Sequence, residues 1–177
     1  IRSMVAQTKV VLTTVGPYLK YGDAPSDAFR KAVQSFEGSL AIATSIADKP
    51  DNLYLSLRGS GQGLYIGFGE DVTVVASELY GVVEVTPNYL RMDGEIPADL
   101  NNAATSRGQI VEVDGEKSGL SEGVTRYSFD GRVLPIEDQE IKRAEITTRD
   151  IDRGGYPHYL LKEISESSES VRSTLRG

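Results

Sequence analysis

The spacing of the apolar residues changes at Gly38, and this change restricts the fold more than any other feature. Before Gly38, apolar side chains recur every three or four residues. After it they alternate, and the alternating runs are separated by turn residues. From Thr8 to Tyr21, Val11, Val15, Tyr18 and Leu19 fall on one helical face, although Gly16-Pro17 interrupts the ladder. A second helix is predicted in "YGDAPSDAFRKAVQSFEG", with Ser26 as N-cap, a stripe of Ala28, Phe29, Ala32, Val33 and Phe36, and Gly38 as terminator.

Strands follow: "SLAIATSIA", a turn at "DKPDN", and "LYLSLRG" with Leu53, Leu55 and Leu57 on one face. "GLYIGFGE" and "DVTVVAS" extend the series, and "SELYGVVEVT" reads as a short helix or turn. Asp93-Gly94, Asp114-Gly115 and Asp130-Gly131 predict successive antiparallel hairpins. The stretch from Glu137 is acidic and polar, and Tyr156 to Leu175 returns to helical spacing. Helices, then strands, then a closing helix define an α+β fold with a mainly antiparallel sheet, not a parallel βαβ fold.

With 177 residues the chain is sized for one domain, 1–177. The formal charge of −7 and the lack of any basic stripe argue against a nucleic-acid partner. Cysteine is absent, which excludes disulfides, thiolate metal sites and a cysteine nucleophile within these residues. His158 is the single histidine, so a zinc site would need carboxylates for its other ligands, and no metal or cofactor is expected. No apolar run reaches membrane-span length, and the expectation is a soluble, cytoplasmic domain with no membrane partner. "IRSMVAQTKVVLTTVGPYL" begins without methionine and runs straight into an apolar pattern, as expected of a piece of a longer protein.

Four motifs could carry chemistry. Gly59, Gly61 and Gly63 lead into an extended stretch without the helix or lysine that a phosphate cradle needs, so they read as turn glycines. Glu70-Asp71, Glu137-Asp138, Asp150 and Asp152 read as solvated faces rather than acid/base pairs. The serines of "ISESSESVRS" lie more than one helical turn from His158 and read as exposed helix or linker. His158, flanked by Tyr156 and Tyr159, fits half-buried packing at a boundary, because tyrosine has an apolar body and a polar tip.

Two patches carry a family resemblance. "GGYPHYLLKEISE" followed by "VRSTLRG" resembles the end of the glutaminase domain in the isomerising glutamine–fructose-6-phosphate transaminases, the glucosamine-6-phosphate synthases. Tyr156, His158, Tyr159, Lys162, Glu163 and Ile164 match, and Leu160 replaces the usual Met. "LRGSGQGLYIGFGEDVTVVAS" is similar to that family's glycine-rich strand pair through Arg58, Gly59, Ser60, Leu64, Ile66, Gly67, Gly69, Ala76 and Ser77, with Glu78 in place of Asp. "DAFRKAVQSFEGSLAIA" and the "MDGEI" of Met92–Ile96 add to the likeness, whereas 101–136 looks longer and divergent.

The resemblance implies the second half of an αββα sandwich of the N-terminal-nucleophile hydrolase type. It implies a nucleophilic N-terminal cysteine, and oxyanion-binding Asn and Gly, all ahead of Ile1. Gln7 stands at the place of a glutamine-binding Asp, and an amide cannot pair with an α-ammonium as a carboxylate does. Residues 165–177 would begin a linker to a sugar-isomerase domain, with Tyr156, His158, Tyr159, Lys162 and Glu163 at the interdomain boundary. The implied partners are the first half of the glutaminase domain, the sugar-isomerase domain of the same or a partner chain, glutamine and a sugar phosphate, and a second copy in a homodimer. Two readings stay open: scaffold and docking surface of a glucosamine-6-phosphate synthase-like enzyme, inactive alone, or a degenerate, non-catalytic relative with a structural or regulatory role.

Overall fold

A computed structural model describes residues 2–59, 63–99, 102–145, 155–158, 160–162, 164–165 and 167, with backbone only at 2–9, 98–99 and 102–106. The chain divides into two compact units, Ile1–Glu145 and Ile146–Gly177.

The first unit opens with helices α1 (Arg2–Lys20) and α2 (Pro25–Gln34). The helical face expected from Val11, Val15, Tyr18 and Leu19 turns inward, with Val15 buried and the other three packed beside it. Pro17 lies inside α1, in its last turn, and cannot donate the ladder bond to the carbonyl four residues before it. The cap of α2 differs from expectation. Ala24 is the N-cap and Pro25 takes the first helical position, so Ser26 lies inside the helix. Proline wins there because its missing N–H is one that a helix start leaves unpaired anyway. Ala28, Phe29, Ala32 and Val33 form the buried stripe.

Beyond Gly38 the chain forms β1 (Leu40–Ile46), β2 (Lys49–Arg58), β3 (Tyr65–Phe68), β4 (Thr73–Ala76), the short helix α3 (Leu79–Val83) and β5 (Asn88–Arg91). Then come β6 (Pro97–Asp99), β7 (Asn102–Arg107), β8 (Gln109–Asp114), β9 (Val124–Ser128), β10 (Val133–Leu134) and β11 (Ile141–Arg143). One sheet has the order β1-β2-β8-β9-β10, a second β11-β5-β3-β4, and β6 pairs with β7. Every pairing is antiparallel. The α+β class and antiparallel character therefore agree with the sequence.

Two turns differ from expectation. The β1–β2 connection is at Ala47-Asp48, and Lys49-Pro50-Asp51-Asn52 already belongs to β2. Pro50 is tolerated because it lies beyond the β2–β8 ladder, which begins at Asn52. Asp93-Gly94 does not close a hairpin: β5 pairs with β3 and β11, and β6 pairs with β7. It carries the chain out of one sheet instead. Asp130-Gly131 does join the paired strands β9 and β10. The divergent stretch 101–136 is not an appendage, since it supplies β8, β9 and β10 of the five-stranded sheet.

Alternation within β2 builds the layers. Leu55 and Leu57 enter the core between the two sheets, with Ile66, Phe68, Leu90, Val111 and Val113. Tyr54 points to the opposite face, beneath Phe29 and Val33 of α2. The helix pair, the five-stranded sheet and the four-stranded sheet thus stack in that order. On the outer face of β3, a Cβ at Gly67 would strike Val82 and Thr86, so α3 lies close against the sheet there.

Candidate functional site

The glycine-rich patch and the "MDGEI" segment meet in space. The N–H of Gly59 donates to the carbonyl of Gly94 at 2.9 Å, and the N–H of Met92 to that of Leu64, also at 2.9 Å. Gly59 has φ +85°, and a side chain there would run into Ser39. A Cβ at Gly94 would meet the backbone of Gly59 and Arg58. Both glycines are therefore required for close approach, as the turn reading of the patch expects; Gly61 lies outside the described residues.

Arg58, one of the resemblance residues, is a structural tie. Its Nε donates to the carbonyl of Gly38 at 3.0 Å and a terminal nitrogen donates to that of Phe36. Its guanidinium stacks 5.2 Å from the centroid of Phe129. One side chain thus links the end of α2 to β2 and to the β9–β10 turn.

Beside the Gly59–Gly94 contact is a cavity of about 420 Å³. Its charged lining is Arg91, Lys142 and Arg126 against Asp93, Glu95 and Glu140. Arg126 lies on the inward face of β9, and its terminal nitrogens reach the two Glu140 oxygens at 2.7 and 2.9 Å. Arg126 also donates to the carbonyl of Pro135. The Arg126 hydrogen bonds hold the Glu140 carboxyl below the usual glutamate range, against the opposing effect of burial. Asx bonding shapes the neighbouring turn, where the N–H of Glu95 donates to Asp93 Oδ1 at 2.8 Å. Gln109, fully buried on β8, accepts from the Asp93 N–H at 3.3 Å. The cavity suits a small polar or charged group. Its lining includes no Ser, Thr, Cys or His, so among the described residues it offers no acyl-transfer nucleophile.

A second polar cluster sits under the helices. Glu112 accepts from Asn52 Nδ2 at 2.8 Å and from the Tyr54 hydroxyl at 3.3 Å. Burial, then the Glu112 charge, push the Tyr54 hydroxyl up to about 12, and the same two causes raise Tyr127. The cluster stabilises a packed face.

Of the residues singled out from sequence, Gly59 and Met92–Ile96 line the cavity. Gln7 lies in α1, where only its backbone is described. Tyr156 is half-buried, His158 exposed and Lys162 half-buried, with the Lys162 N–H donating to the His158 carbonyl at 3.3 Å. Tyr159 and Glu163 lie outside the described residues, as do Asp150 and Asp152. Glu70, Asp71, Glu137 and Asp138 are exposed, as a solvated face requires. No metal-holding group of three or more His, Cys, Asp or Glu, and no helix long and apolar enough to cross a membrane, occurs among the described residues. Sequence reasoning missed Arg126, Glu140 and Gln109. One signal was available: in "VTRYS" an arginine takes the inward position between Val124 and Ser128.

This layered α+β chain carries a charged cavity at a junction of glycine turns. It is similar over 96% of its length to isomerising glutamine–fructose-6-phosphate aminotransferases, as its two motif patches imply. The enzyme of Geobacillus kaustophilus is 30% identical over 170 residues. That of Pyrobaculum aerophilum is 31% identical over 171, and that of Halalkalibacterium halodurans 31% over 170. The chain spans 24% of the length of each. No protein-family model matches it.

Proposed function

We propose that these residues form the later part of the glutaminase domain of a glucosamine-6-phosphate synthase-like protein, completing an αββα sandwich of the N-terminal-nucleophile hydrolase type. In that protein, glutamine and fructose 6-phosphate would yield glucosamine 6-phosphate in the cytoplasm. The nucleophile would come from polypeptide outside these residues, and this portion would supply scaffold and docking surface. The observation that carries the reading is similarity over 96% of the chain to only 24% of each relative. Half-buried Tyr156 and exposed His158, with Tyr159, Lys162 and Glu163, would face the sugar-isomerase domain of the same or a partner chain.

The test is glutamine hydrolysis by the full-length protein, with and without fructose 6-phosphate. Hydrolysis stimulated by the sugar phosphate supports the reading, and none in a folded protein overturns it. The resemblance also favours a second reading, a degenerate domain with a regulatory role, because it sets Gln7 at the place of a glutamine-binding Asp. That reading expects a folded full-length protein with no hydrolysis, and none restored by Gln7→Asp.

A further inference from the structure

Charges are paired unevenly around the cavity beside the Gly59–Gly94 contact. Arg91, Arg126 and Lys142 line it together with Asp93, Glu95 and Glu140. Two of these acids have cationic partners. Glu140 takes two bonds from Arg126, and Glu95 pairs with Arg107 at 3.6 Å. Asp93 gives its Oδ1 to the Glu95 N–H and has no cationic partner among the described residues. Of the cations, only Arg126 has a carboxylate partner. The Arg91 guanidinium lies 5.9 Å from the centroid of the Tyr65 ring, a contact that leaves its charge unneutralised. Lys142 is exposed and makes no hydrogen bond or ion pair among the described residues. Two unneutralised cations therefore face the single free carboxylate of Asp93, in a chain whose formal charge is −7.

Buried donors at the same place lack partners. Arg126 is 6% exposed, and its Nε has no hydrogen-bond partner. Gln109 is fully buried, and its Nε2 is also unpaired although its Oε1 accepts the Asp93 N–H. Val111 pairs with Arg126, and Gln109 lies two residues along β8 from Val111, so both side chains share the face turned toward the other sheet. Buried donors are seldom left unpaired. The terminal nitrogens of Arg126 are engaged by Glu140 and the Pro135 carbonyl, which leaves its Nε–H for one further oxygen.

We infer that this cavity binds the phosphoryl group of a small phosphate or phosphate ester, with Arg91, Lys142 and the Arg126 Nε as donors. A phosphoryl dianion matches two unneutralised cations, and its terminal oxygens accept from donors arriving on three separate strands, β5, β9 and β11. A carboxylate brings one charge and two oxygens in one plane. The volume of about 420 Å³ is that of a small-ligand site, so room remains for a group that carries the phosphate. Asp93 opposes any anion here and limits its affinity. The inference is independent of the proposed function, because every donor it names lies within the described residues.

Hydrogen exchange of the full-length protein, read by mass spectrometry in peptides covering 88–96 and 138–143, tests it. Inorganic phosphate, glycerol phosphate and acetate are added in separate arms at constant ionic strength. Either phosphate compound should slow exchange there about tenfold at ten times its dissociation constant, and the tighter of the two tells an ester from the free ion. Acetate at the same concentration should leave exchange unchanged. Lys142→Gln should weaken phosphate binding about tenfold. Asp93→Asn keeps the oxygen that accepts the Glu95 N–H and should tighten binding about threefold. Both side chains are exposed, so neither change disturbs the core. Opposite signs for the two variants support the inference. Weakening by both, or no effect of either, overturns it, as does protection by acetate equal to that by phosphate. Exchange unchanged by both phosphate compounds also overturns it.

Discussion

Arg126 and Glu140 form a two-pronged ion pair, at 2.7 and 2.9 Å, that joins β9 of one sheet to the segment entering β11 of the other. The arginine side chain is only 7% exposed and the glutamate 32%. Glu140 also accepts the Glu137 N–H at 2.8 Å, so one carboxylate orders both the clasp and the turn before β11.

Glu140→Gln is expected to destabilise the fold by about 1–3 kcal/mol in urea denaturation. That is less than for a wholly buried pair, because solvent screens the exposed side of the glutamate. Arg126→Leu with Glu140→Leu should cost less than Arg126→Leu combined with intact Glu140, since no charge is stranded. The pH dependence has a definite sign. The folded Glu140 value is depressed, so its contribution is present above the ordinary glutamate value of about 4.3 and fades as pH falls through the folded value. The wild type and Glu140→Gln should therefore differ in stability at pH 6 and converge under acid. A gap that persists unchanged at pH 2 would refute the assignment.

Tyr54 titrates in the opposite sense. Its hydroxyl, raised to about 12 from 10.0, favours the neutral form in the fold. The associated stability is complete below pH 10 and is lost as pH climbs toward 12. Tyr54→Phe keeps the ring beside Phe29, whose centroid lies 6.1 Å away, and removes the titrating group. Denaturation midpoints of this variant should fall less steeply between pH 10 and pH 12 than those of the wild type. Parallel curves would show that another group controls the alkaline loss.

Gly94→Ala tests the junction of the two glycine turns. The new methyl meets backbone, with the Gly59 nitrogen 3.0 Å away, and backbone cannot rotate aside. A cost of about 1–3 kcal/mol is expected from this overpacking. Gly22→Ala is the control, because at φ +91° it is conformationally strained but meets nothing within 4 Å. Its cost should be about 1 kcal/mol. Equal thermal shifts for the two variants would remove the steric argument.

The helices and most strands could be read from the chain because each has one face buried and one wet, which leaves a period in the sequence. Leu53, Leu55 and Leu57 illustrate this for β2, and Ala28, Phe29, Ala32 and Val33 for α2. Asp93-Gly94 misled because a local turn signal fixes a change of direction but not which strand lies alongside afterwards. The candidate cavity was less legible. Arg126 and Glu140 are 14 residues apart and are paired only by the stacking of two sheets, and nothing local in "EDQEIKR" separates Glu140 from its exposed neighbours.

The boundary role proposed for Tyr156 and His158 gives the last prediction. His158 is exposed and Tyr156 half-buried, and the Lys162 N–H donates to the His158 carbonyl, a backbone bond. Replacing either side chain leaves that bond in place. In the 177-residue chain, Tyr156→Ala and His158→Ala should therefore change stability by no more than about 0.5 kcal/mol, the usual range for surface substitutions. In the full-length protein the same changes should loosen docking of the next domain, seen as faster proteolysis within 165–177. Here the two proteins must behave differently. A loss of thermal stability in the isolated chain as large as that in the full-length protein would assign both residues to a local core and end the docking interpretation.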